Sequence, residues 1–282
     1  MVYVKAGCFQ GVLRRAAAAC AIGSLTAPGG CGALATLQYA PLFVTPLTID
    51  GADVGDAIVD TGGAYEVILR DDFGLELVDT VEVLGFGGPE HVAVTEPFPY
   101  AAGGVSATAE FALIGLSACD CNGVGFRFFR KTQTVLGLDF STMTARHSKN
   151  APPGGANIEF AAPPPELPDF DSAFMHVEVT AGGETKHLLA LLDTGTNGTV
   201  IRRGLFNVPG IMPTDWINIQ VAREELGTVS LPATLFDTSG LPDIILGTDV
   251  MGVWSDRWYF SFAPTGGSVT IFPRLRGPGA TE

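Results

Sequence analysis

The stretch LLDTGTNGTVI, residues 191–201, is an apolar run that ends on a carboxylate, Asp193, and resumes after a polar turn. A single Asp at the end of a strand usually marks a turn, because its side chain can bond the backbone two residues further on. The chain holds a second copy of this arrangement in AIVDTGGAYEVIL, residues 57–69, which places Asp60 in the same frame. The duplication suggests that the two Asp residues act together.

Four sequence landmarks recur in the same order in the two halves of the chain. They are a strand-like segment ending in a turn, the Asp-Thr-Gly element, an apolar run ending in Leu-Gly-x-Asp, and a Gly-Gly turn between strand-forming residues. They lie at 43–51, Asp60, 134–140 and 151–160 in the first half, and at 174–183, Asp193, 244–250 and 263–272 in the second. Collinear landmarks of this kind indicate an internal repeat.

The spacing of the landmarks predicts how the two copies differ. Asp60 and Gly137 are 77 residues apart, whereas Asp193 and Gly247 are 54 apart, which predicts an insertion of about twenty residues around 98–125. The Pro-rich acidic segment at 160–171 is typical of an extended linker. We therefore expect an N-terminal lobe at 41–165 and a C-terminal lobe at 166–282.

The composition favours an all-β protein. Hydrophobic residues make up 46% and charged residues 16%, so the chain is not disordered, and its 36 Gly and 19 Pro suit many tight turns. Runs of Val, Ile, Thr, Phe and Tyr bounded by turn residues predict short strands. The segment at 80–94 predicts a hairpin that turns at Phe86-Gly87-Gly88, and we expect helix only in single turns after each Leu-Gly.

Residues 1–40 predict an export signal. They contain no Asp or Glu, and Lys5, Arg14 and Arg15 precede a short run of small residues. The run is too short and too interrupted for a transmembrane span. We expect an exported protein (periplasmic, envelope-associated or secreted), the alternative being a mispredicted or disordered N-terminus. A lipoprotein would be modified at Cys31, although Pro28 stands where a bacterial lipobox has Leu.

Several function classes are disfavoured by the sequence. A net charge of −14 would repel nucleic acid. Cys119 and Cys121, the cysteines outside the leader, predict a loop with two thiols or a local bridge, because the four His are scattered and a metal site has little support. The chain has no G-x-G-x-x-G, G-x-S-x-G or H-E-x-x-H motif. We expect no cofactor and no metal.

Two opposed Asp-Thr-Gly loops would supply a specific chemistry. If the lobes pack face to face, Asp60 and Asp193 arrive side by side. Adjacent carboxylates cannot both ionise cheaply, so they share a proton. The ionised member can take a proton from a bound water while the other donates one to a substrate carbonyl, which is general acid–base hydrolysis of an amide.

This pattern resembles the aspartic proteases, over roughly residues 42–273. The segment ALLDTGTNGTVI is similar to the retroviral type, in which an apolar pair precedes Asp-Thr-Gly and Val-Ile follows. Retroviral members are homodimers with one Asp from each chain, whereas pepsin-like members carry both on one chain. The resemblance implies two pseudo-symmetric acid-protease-type β-barrel lobes with a cleft between them, in a monomeric endopeptidase that acts on peptide or protein substrates.

The resemblance also implies a role for each matching position. The implied catalytic pair is Asp60 and Asp193, and the implied loop supports are Thr61, Gly62, Thr194 and Gly195. Leu136-Gly137 and Leu246-Gly247 would pack beneath the loops. A flap over the substrate would be formed by Gly85, Phe86, Gly87 and Gly88, and the segment 217–232 would be the equivalent hairpin of the second half.

The sequence departs from the pepsin-like pattern in two places. Gly63-Ala64 and Thr196-Asn197 stand where pepsin-like enzymes have small hydroxyl residues. The pepsin flap tyrosine has no match, since Tyr65 is too close to Asp60 and Tyr100 lies beyond the hairpin.

Two other functions stay open at this point: a catalytically inactive peptide-binding protein of the same fold, and a structural β-module of the envelope. The presence of both carboxylates favours the enzyme, because an unused buried pair would only lower stability. For the enzyme we expect an acidic to mildly acidic pH optimum, because one member of the pair must stay protonated.

Overall fold

The structure is a computed structural model in which the chain is mostly β, as the composition predicts. It describes residues 42–69, 73–85, 88–116, 121–165, 167, 172–208, 216–237 and 241–272. The predicted leader, residues 1–40, lies outside the described residues. Among those residues, neither helix is long or apolar enough to cross a membrane.

The described residues of the first half form twelve strands and one helix. They are β1 (Val44–Ile49), β2 (Ala52–Asp60), β3 (Glu66–Ile68), β4 (Leu77–Gly85), β5 (Gly88–Thr95), β6 (Phe98–Ala102), β7 (Val105–Ala109), β8 (Ala112–Ile114), β9 (Asn122–Gly125), α1 (Phe126–Thr132), β10 (Val135–Asp139), β11 (Thr144–Ser148) and β12 (Ala156–Glu159). The second half contributes β13 (Phe174–Ala181), β14 (Glu184–Leu192), β15 (Val200–Arg202), β16 (Trp216–Arg223), β17 (Gly227–Phe236), β18 (Ile244–Leu246), α2 (Thr248–Trp254), β19 (Arg257–Phe262) and β20 (Gly267–Phe272).

The strands form three sheets. A nine-stranded sheet has the order β4-β5-β8-β3-β9-β2-β1-β6-β7, and β13-β14-β18-β15-β17-β16 form a closed six-stranded barrel. The third sheet has the order β11-β10-β19-β20-β12 and contains strands from both sides of residue 165. The division into two lobes at this residue stays a prediction.

The nine-stranded sheet and the barrel share a pattern of strand pairings. β2 runs parallel to β9 as β14 does to β18, and β3 runs parallel to β8 as β15 does to β17. β1 pairs antiparallel with β6 as β13 does with β16. A short helix follows β9 and another follows β18. The internal repeat that the sequence predicts is therefore present in the strand pairings.

The extra element of the first half is the hairpin β4–β5, so the insertion predicted around 98–125 is wrong. Thr48 pairs with Ala101 as Thr180 pairs with Gln220, which makes β6–β7 the counterpart of β16–β17. The segment 217–232 is a hairpin, as predicted, but it is not the counterpart of β4–β5. The described residues of the second half contain no such counterpart.

The third and fourth sequence landmarks occupy unequal positions in the fold. β10, which contains Leu136-Gly137, lies in the third sheet and pairs with β11 and β19. β18, which contains Leu246, lies in the barrel. The two Gly-Gly segments give β12 and β20, which are direct neighbours with Ile158 opposite Val269. Similar short sequences thus serve different strands, because a strand and a tight turn need the same residue types wherever they occur.

Two hydrophobic clusters hold the described residues together. The larger includes side chains from all three sheets, among them the fully buried Val59, Val179 and Phe260. The smaller contains Val83, Val92 and Val94 of the hairpin β4–β5 and Leu113 of the neighbouring strand β8. The hairpin therefore has a hydrophobic cluster of its own, separate from the main core.

A buried polar pair lies within the nine-stranded sheet. The Tyr100 hydroxyl donates a hydrogen bond to the Glu66 carboxyl, and both residues are buried. Burial raises the pKa of Glu66, although the bond from Tyr100 opposes the shift. Burial and then the neighbouring Glu66 carboxylate raise the pKa of Tyr100 well above its ordinary value. Tyr100 is thus the side-chain donor to a buried carboxyl group, which also has a bond from the backbone of Glu66 itself.

We expect Tyr100→Phe to lower the free energy of unfolding by about 1–3 kcal/mol, because the Glu66 carboxyl would lose its donor while staying buried. Urea denaturation measures the change. Tyr259→Phe is the matched control, since the Tyr259 ring packs on Phe272 at the surface of the third sheet, and it should change stability by less than about 0.5 kcal/mol. Equal losses in the two variants would contradict the role given to the pair.

Candidate active site

Asp60 and Asp193 stand at corresponding ends of paired strands. Asp60 is the last residue of β2, and Asp193 directly follows β14. The residues before each Asp are buried, which draws the strand ends into the core. Asp60 is 9% exposed and Asp193 is fully buried. Two carboxyl groups are therefore held at the edge of an apolar interior.

Each Asp also caps the turn that follows it. The Asp60 Oδ1 atom accepts hydrogen bonds from the Gly62 N–H at 2.9 Å and the Gly63 N–H at 2.7 Å. The Asp193 Oδ1 atom accepts one from the Gly195 N–H at 2.9 Å. These are the local bonds expected of an Asp at a turn. They fix the orientation of both carboxyl groups.

Each Asp side chain lies against the loop that carries the other Asp. A Cβ atom on Gly62 would lie 2.3 Å from the Asp193 Cγ atom, and one on Gly195 would lie 2.5 Å from the Asp60 Cγ atom. Each carboxyl group is thus packed on the backbone of the opposite loop, where no other residue than glycine has room. The structure thus places Asp60 and Asp193 on adjoining loops, in the arrangement from which the sequence predicts a pair.

Crossed hydrogen bonds between the two threonines join the loops. The Thr61 N–H donates to the Thr194 Oγ1 atom at 3.0 Å, and the Thr194 N–H donates to the Thr61 Oγ1 atom at 3.1 Å. Each hydroxyl then donates onward, Thr61 to the Leu192 carbonyl at 2.9 Å and Thr194 to the Val59 carbonyl at 2.6 Å. The four bonds form a symmetric, fully buried network.

Ser172 adds a support that sequence reasoning missed. Its buried hydroxyl donates to the Thr61 carbonyl at 2.5 Å. The residue lies at the end of the predicted linker, and a lone Ser in that place carries no sequence signal.

The start of each short helix holds the loop beside it. In the second half, the Asp193 N–H donates to the Leu246 carbonyl at 3.0 Å, and the Thr248 N–H donates to the Thr196 carbonyl at 3.0 Å. A Cβ atom on Gly247 would lie 2.7 Å from the Gly198 carbonyl oxygen. Leu246-Gly247 therefore packs against the loop of Asp193, as the resemblance implies.

The corresponding contacts of the first half come from Gly125 and Phe126 instead of Leu136-Gly137. Asp60 pairs with Gly125 across the parallel strands, and the Phe126 N–H donates to the Gly63 carbonyl at 2.8 Å. A Cβ atom on Gly125 would lie 2.7 Å from backbone atoms of Ala64. The role implied for Leu136-Gly137 is therefore wrong. The segment that holds this position, NGVGF, lacks the Leu-Gly of its counterpart.

Asp139 and Asp249, the acidic residues of the two Leu-Gly-x-Asp segments, also make different contacts. Asp139 accepts hydrogen bonds from Ser141 and Thr142 in a surface turn, and the Ser141 hydroxyl is the main cause that lowers its pKa. Asp249 instead accepts bonds from the Thr199 N–H at 2.8 Å and the Thr199 hydroxyl at 2.9 Å. Asp249 is thus joined to the loop of Asp193, and its recurrence in the motif was the sequence signal for it.

The flap residues are described only in part. Gly85 pairs with Gly88, which confirms the predicted hairpin with a two-residue connection. Phe86 and Gly87 lie outside the described residues. The position of this hairpin over a substrate therefore stays a prediction.

Cys121 is disulfide-bonded, while Cys119 lies outside the described residues. Within the described part of the chain, no group of three or more His, Cys, Asp or Glu could hold a metal ion. The site consists of carboxyl groups, hydroxyl groups and backbone amides, which suits proton transfer.

Comparison of the sequence with protein-family models and with curated proteins finds no match.

We expect Thr61→Val to destabilise the protein, because the buried Thr194 N–H and Leu192 carbonyl would lose their partner. Each orphaned group lowers the free energy of unfolding by about 1–3 kcal/mol. Thr61→Ser keeps the hydroxyl and is the control. Combining Thr61→Val with Thr194→Val should show a coupling energy of about 0.5–3 kcal/mol in urea denaturation. Strictly additive losses would argue against a shared network.

Proposed function

We propose that the protein is an aspartic endopeptidase built from two acid-protease-type β-barrel lobes, with Asp60 and Asp193 as the catalytic pair in the cleft between them. The observation that supports this most is the pairing of two Asp-Thr-Gly loops, each carboxyl group lying on the glycine of the other loop. A turn function alone needs only the local bonds to Gly62 and Gly195. It does not require two such turns to meet.

In the proposed mechanism one carboxyl group is ionised and the other is protonated. The ionised group takes a proton from a bound water, which attacks the carbonyl carbon of the peptide bond. The protonated group donates its proton to the carbonyl oxygen, and collapse of the tetrahedral species with proton transfer to the nitrogen releases the amine. No covalent intermediate with the protein forms.

Asp60 is the better candidate for the ionised group at the start of the reaction. Its Oδ1 atom accepts two backbone N–H bonds, and hydrogen bonds to a carboxylate favour the charged form. Asp60 also retains exposed surface through which a water could reach it. Asp193 would then hold the shared proton.

The single-chain arrangement of the two Asp loops leads to a proposal for the oligomeric state and for the substrate. Both Asp loops come from one chain, so a monomer would hold a complete catalytic pair. The proposed substrate is an extended peptide or protein segment, and the hairpin β4–β5 is the proposed flap. The proposal of an exported protein rests on residues 1–40 alone.

A catalytically inactive peptide-binding protein of the same fold is the second candidate, because the same cleft could hold a peptide without cutting it. A structural β-module of the envelope is the third. The crossed threonine bonds would serve all three functions. Only the pairing of the two carboxyl groups favours the enzyme, since a module that keeps its turns for folding alone gains nothing from adjacent acids.

We expect Asp60→Asn and Asp193→Asn each to abolish cleavage of a peptide library, because either change removes one proton donor or acceptor of the pair. Loss of a positioned acid or base lowers the rate by at least about 10²–10⁴-fold. Asp139→Asn, at a surface turn of the same chain, is the matched control and should leave cleavage unchanged.

The pH dependence of kcat/KM gives a second test. A shared proton predicts an acidic to mildly acidic optimum. Cleavage that survives either Asn substitution, or a profile that peaks well above neutrality, would argue against the pair. Peptide binding without cleavage in the unmodified protein would favour the second candidate.

A further inference from the structure

Asp249 links the start of α2 to the loop of Asp193. Its two carboxyl oxygens accept bonds from the Thr199 N–H, the Thr199 hydroxyl and the Val250 N–H, all between 2.7 and 2.9 Å. The residue is partly buried and keeps some exposed surface. A three-bond contact of this kind fixes the end of the loop relative to the helix.

The Asp249 contact completes a set of three attachments. The segment 246–249 holds the loop 193–199 at its beginning through Leu246, at its middle through Thr248 and at its end through Asp249. The first two attachments use backbone atoms alone. The third is made by a side chain, so it is the attachment that a substitution or a change of charge can alter.

The first half has no carboxylate in the corresponding place. Arg127, two residues after Gly125 as Asp249 is two after Gly247, lies over the Tyr65 ring at 4.1 Å and pairs with Glu110 at 3.2 Å. Glu66, six residues after Asp60 as Thr199 is six after Asp193, bonds Tyr100 instead. The direct bond from a carboxyl group to the loop is therefore a property of the Asp193 side.

The carboxyl group of Asp249 has a pKa in the mildly acidic range. Burial raises its pKa to about 6, against the opposing effect of the bonds from Thr199 and Val250. Among the described residues, the groups that act on this pKa are Thr199, Val250 and the amide of Asp249 itself, none of which carries a charge. Because the folded-state pKa lies above the ordinary value of 3.8, the folded state loses stability as the pH rises from about 4 to about 6.

We propose that Asp249 is a positioning residue that holds the Asp193 loop in its reactive geometry, and that its ionisation loosens this loop and sets the upper pH limit of activity. The proposal rests on the proposed peptidase function and deepens it. The bonds from Thr199 and Val250 favour the charged form of Asp249, but burial outweighs them. An ionised Asp249 would therefore gain from contact with water, and opening of the loop end is the route by which water would reach it. Asp193 would then lose its alignment with Asp60.

The main test measures kcat and KM of the full chain on a cleaved peptide from pH 3 to pH 8. Asp249→Asn cannot ionise, and it replaces one of the two accepting oxygens by an N–H donor, so at least one backbone N–H of Thr199 or Val250 loses its acceptor. We expect kcat at the optimum pH to fall about 10–100-fold, while KM changes less than about threefold. In a plot of kcat against pH, we expect the alkaline limb to move to higher pH. Asp139→Asn should change neither kcat nor the limb.

Variants of Thr199 distinguish a loss of loop positioning from a general loss of folding. Thr199→Val removes the hydroxyl bond and should lower kcat, whereas Thr199→Ser keeps it and should retain the kcat of the unmodified protein. This pair decides the positioning role if Asp249→Asn does not fold. An unchanged kcat in Asp249→Asn or Thr199→Val, or an alkaline limb that stays in place in Asp249→Asn, would overturn the proposal.

Hydrogen exchange gives a readout that does not need cleavage. After correction for the intrinsic pH dependence of exchange, protection of the Gly195 and Thr199 amides should fall between pH 5 and pH 7 in the unmodified protein but not in Asp249→Asn. Constant protection in the unmodified protein would overturn the proposed loosening. If the predicted exchange is seen and no peptide is cut, the peptidase function fails while the effect of Asp249 on the loop stands.

Discussion

The crossed hydrogen bonds between Thr61 and Thr194 are the contact on which the rest of the site depends. Each threonine satisfies a backbone N–H of the other loop and a carbonyl of the opposite strand, so four buried polar groups are paired across the interface between the two halves. A buried polar group without a partner is expensive. The two loops are therefore stable only in contact with each other, and that contact places Asp60 beside Asp193.

This constraint explains the pattern of small residues around the site. Gly62 and Gly195 have no side chain because the opposite carboxyl group occupies the space, and Gly125 and Gly247 have none because the loop backbone lies against them. The glycines thus mark the places where the two halves, or a loop and its helix, approach most closely. The symmetric part of the site is made by backbone atoms, glycines and threonines, while the side chains beyond it differ between the halves.

Those differences give each half its own task in the proposed enzyme. The first half carries the additional hairpin β4–β5 with its own small hydrophobic cluster, and it retains the exposed edge of Asp60. The second half is a closed barrel in which Asp249 fixes the Asp193 loop. The proposed flap in the first half and a loop fixed by Asp249 in the second would suit a site that must admit a peptide and still hold two acids side by side.

The sequence by itself determined the all-β class, the repeat, the hairpin at 80–94 and the pair of Asp-Thr-Gly loops, because strand periodicity, turn residues and a duplicated motif are local signals. It misplaced the insertion and the role of Leu136-Gly137, because Leu-Gly-x-Asp occurs in both halves but lies in different strands. Only the tertiary structure decided that β9 holds the first loop, that Ser172 supports it, and that Asp249, unlike Asp139 in the same motif, contacts the loop of Asp193. The physical reason is that these contacts join residues far apart in the chain or need only one hydrogen bond or one close backbone approach, which a short sequence pattern does not record.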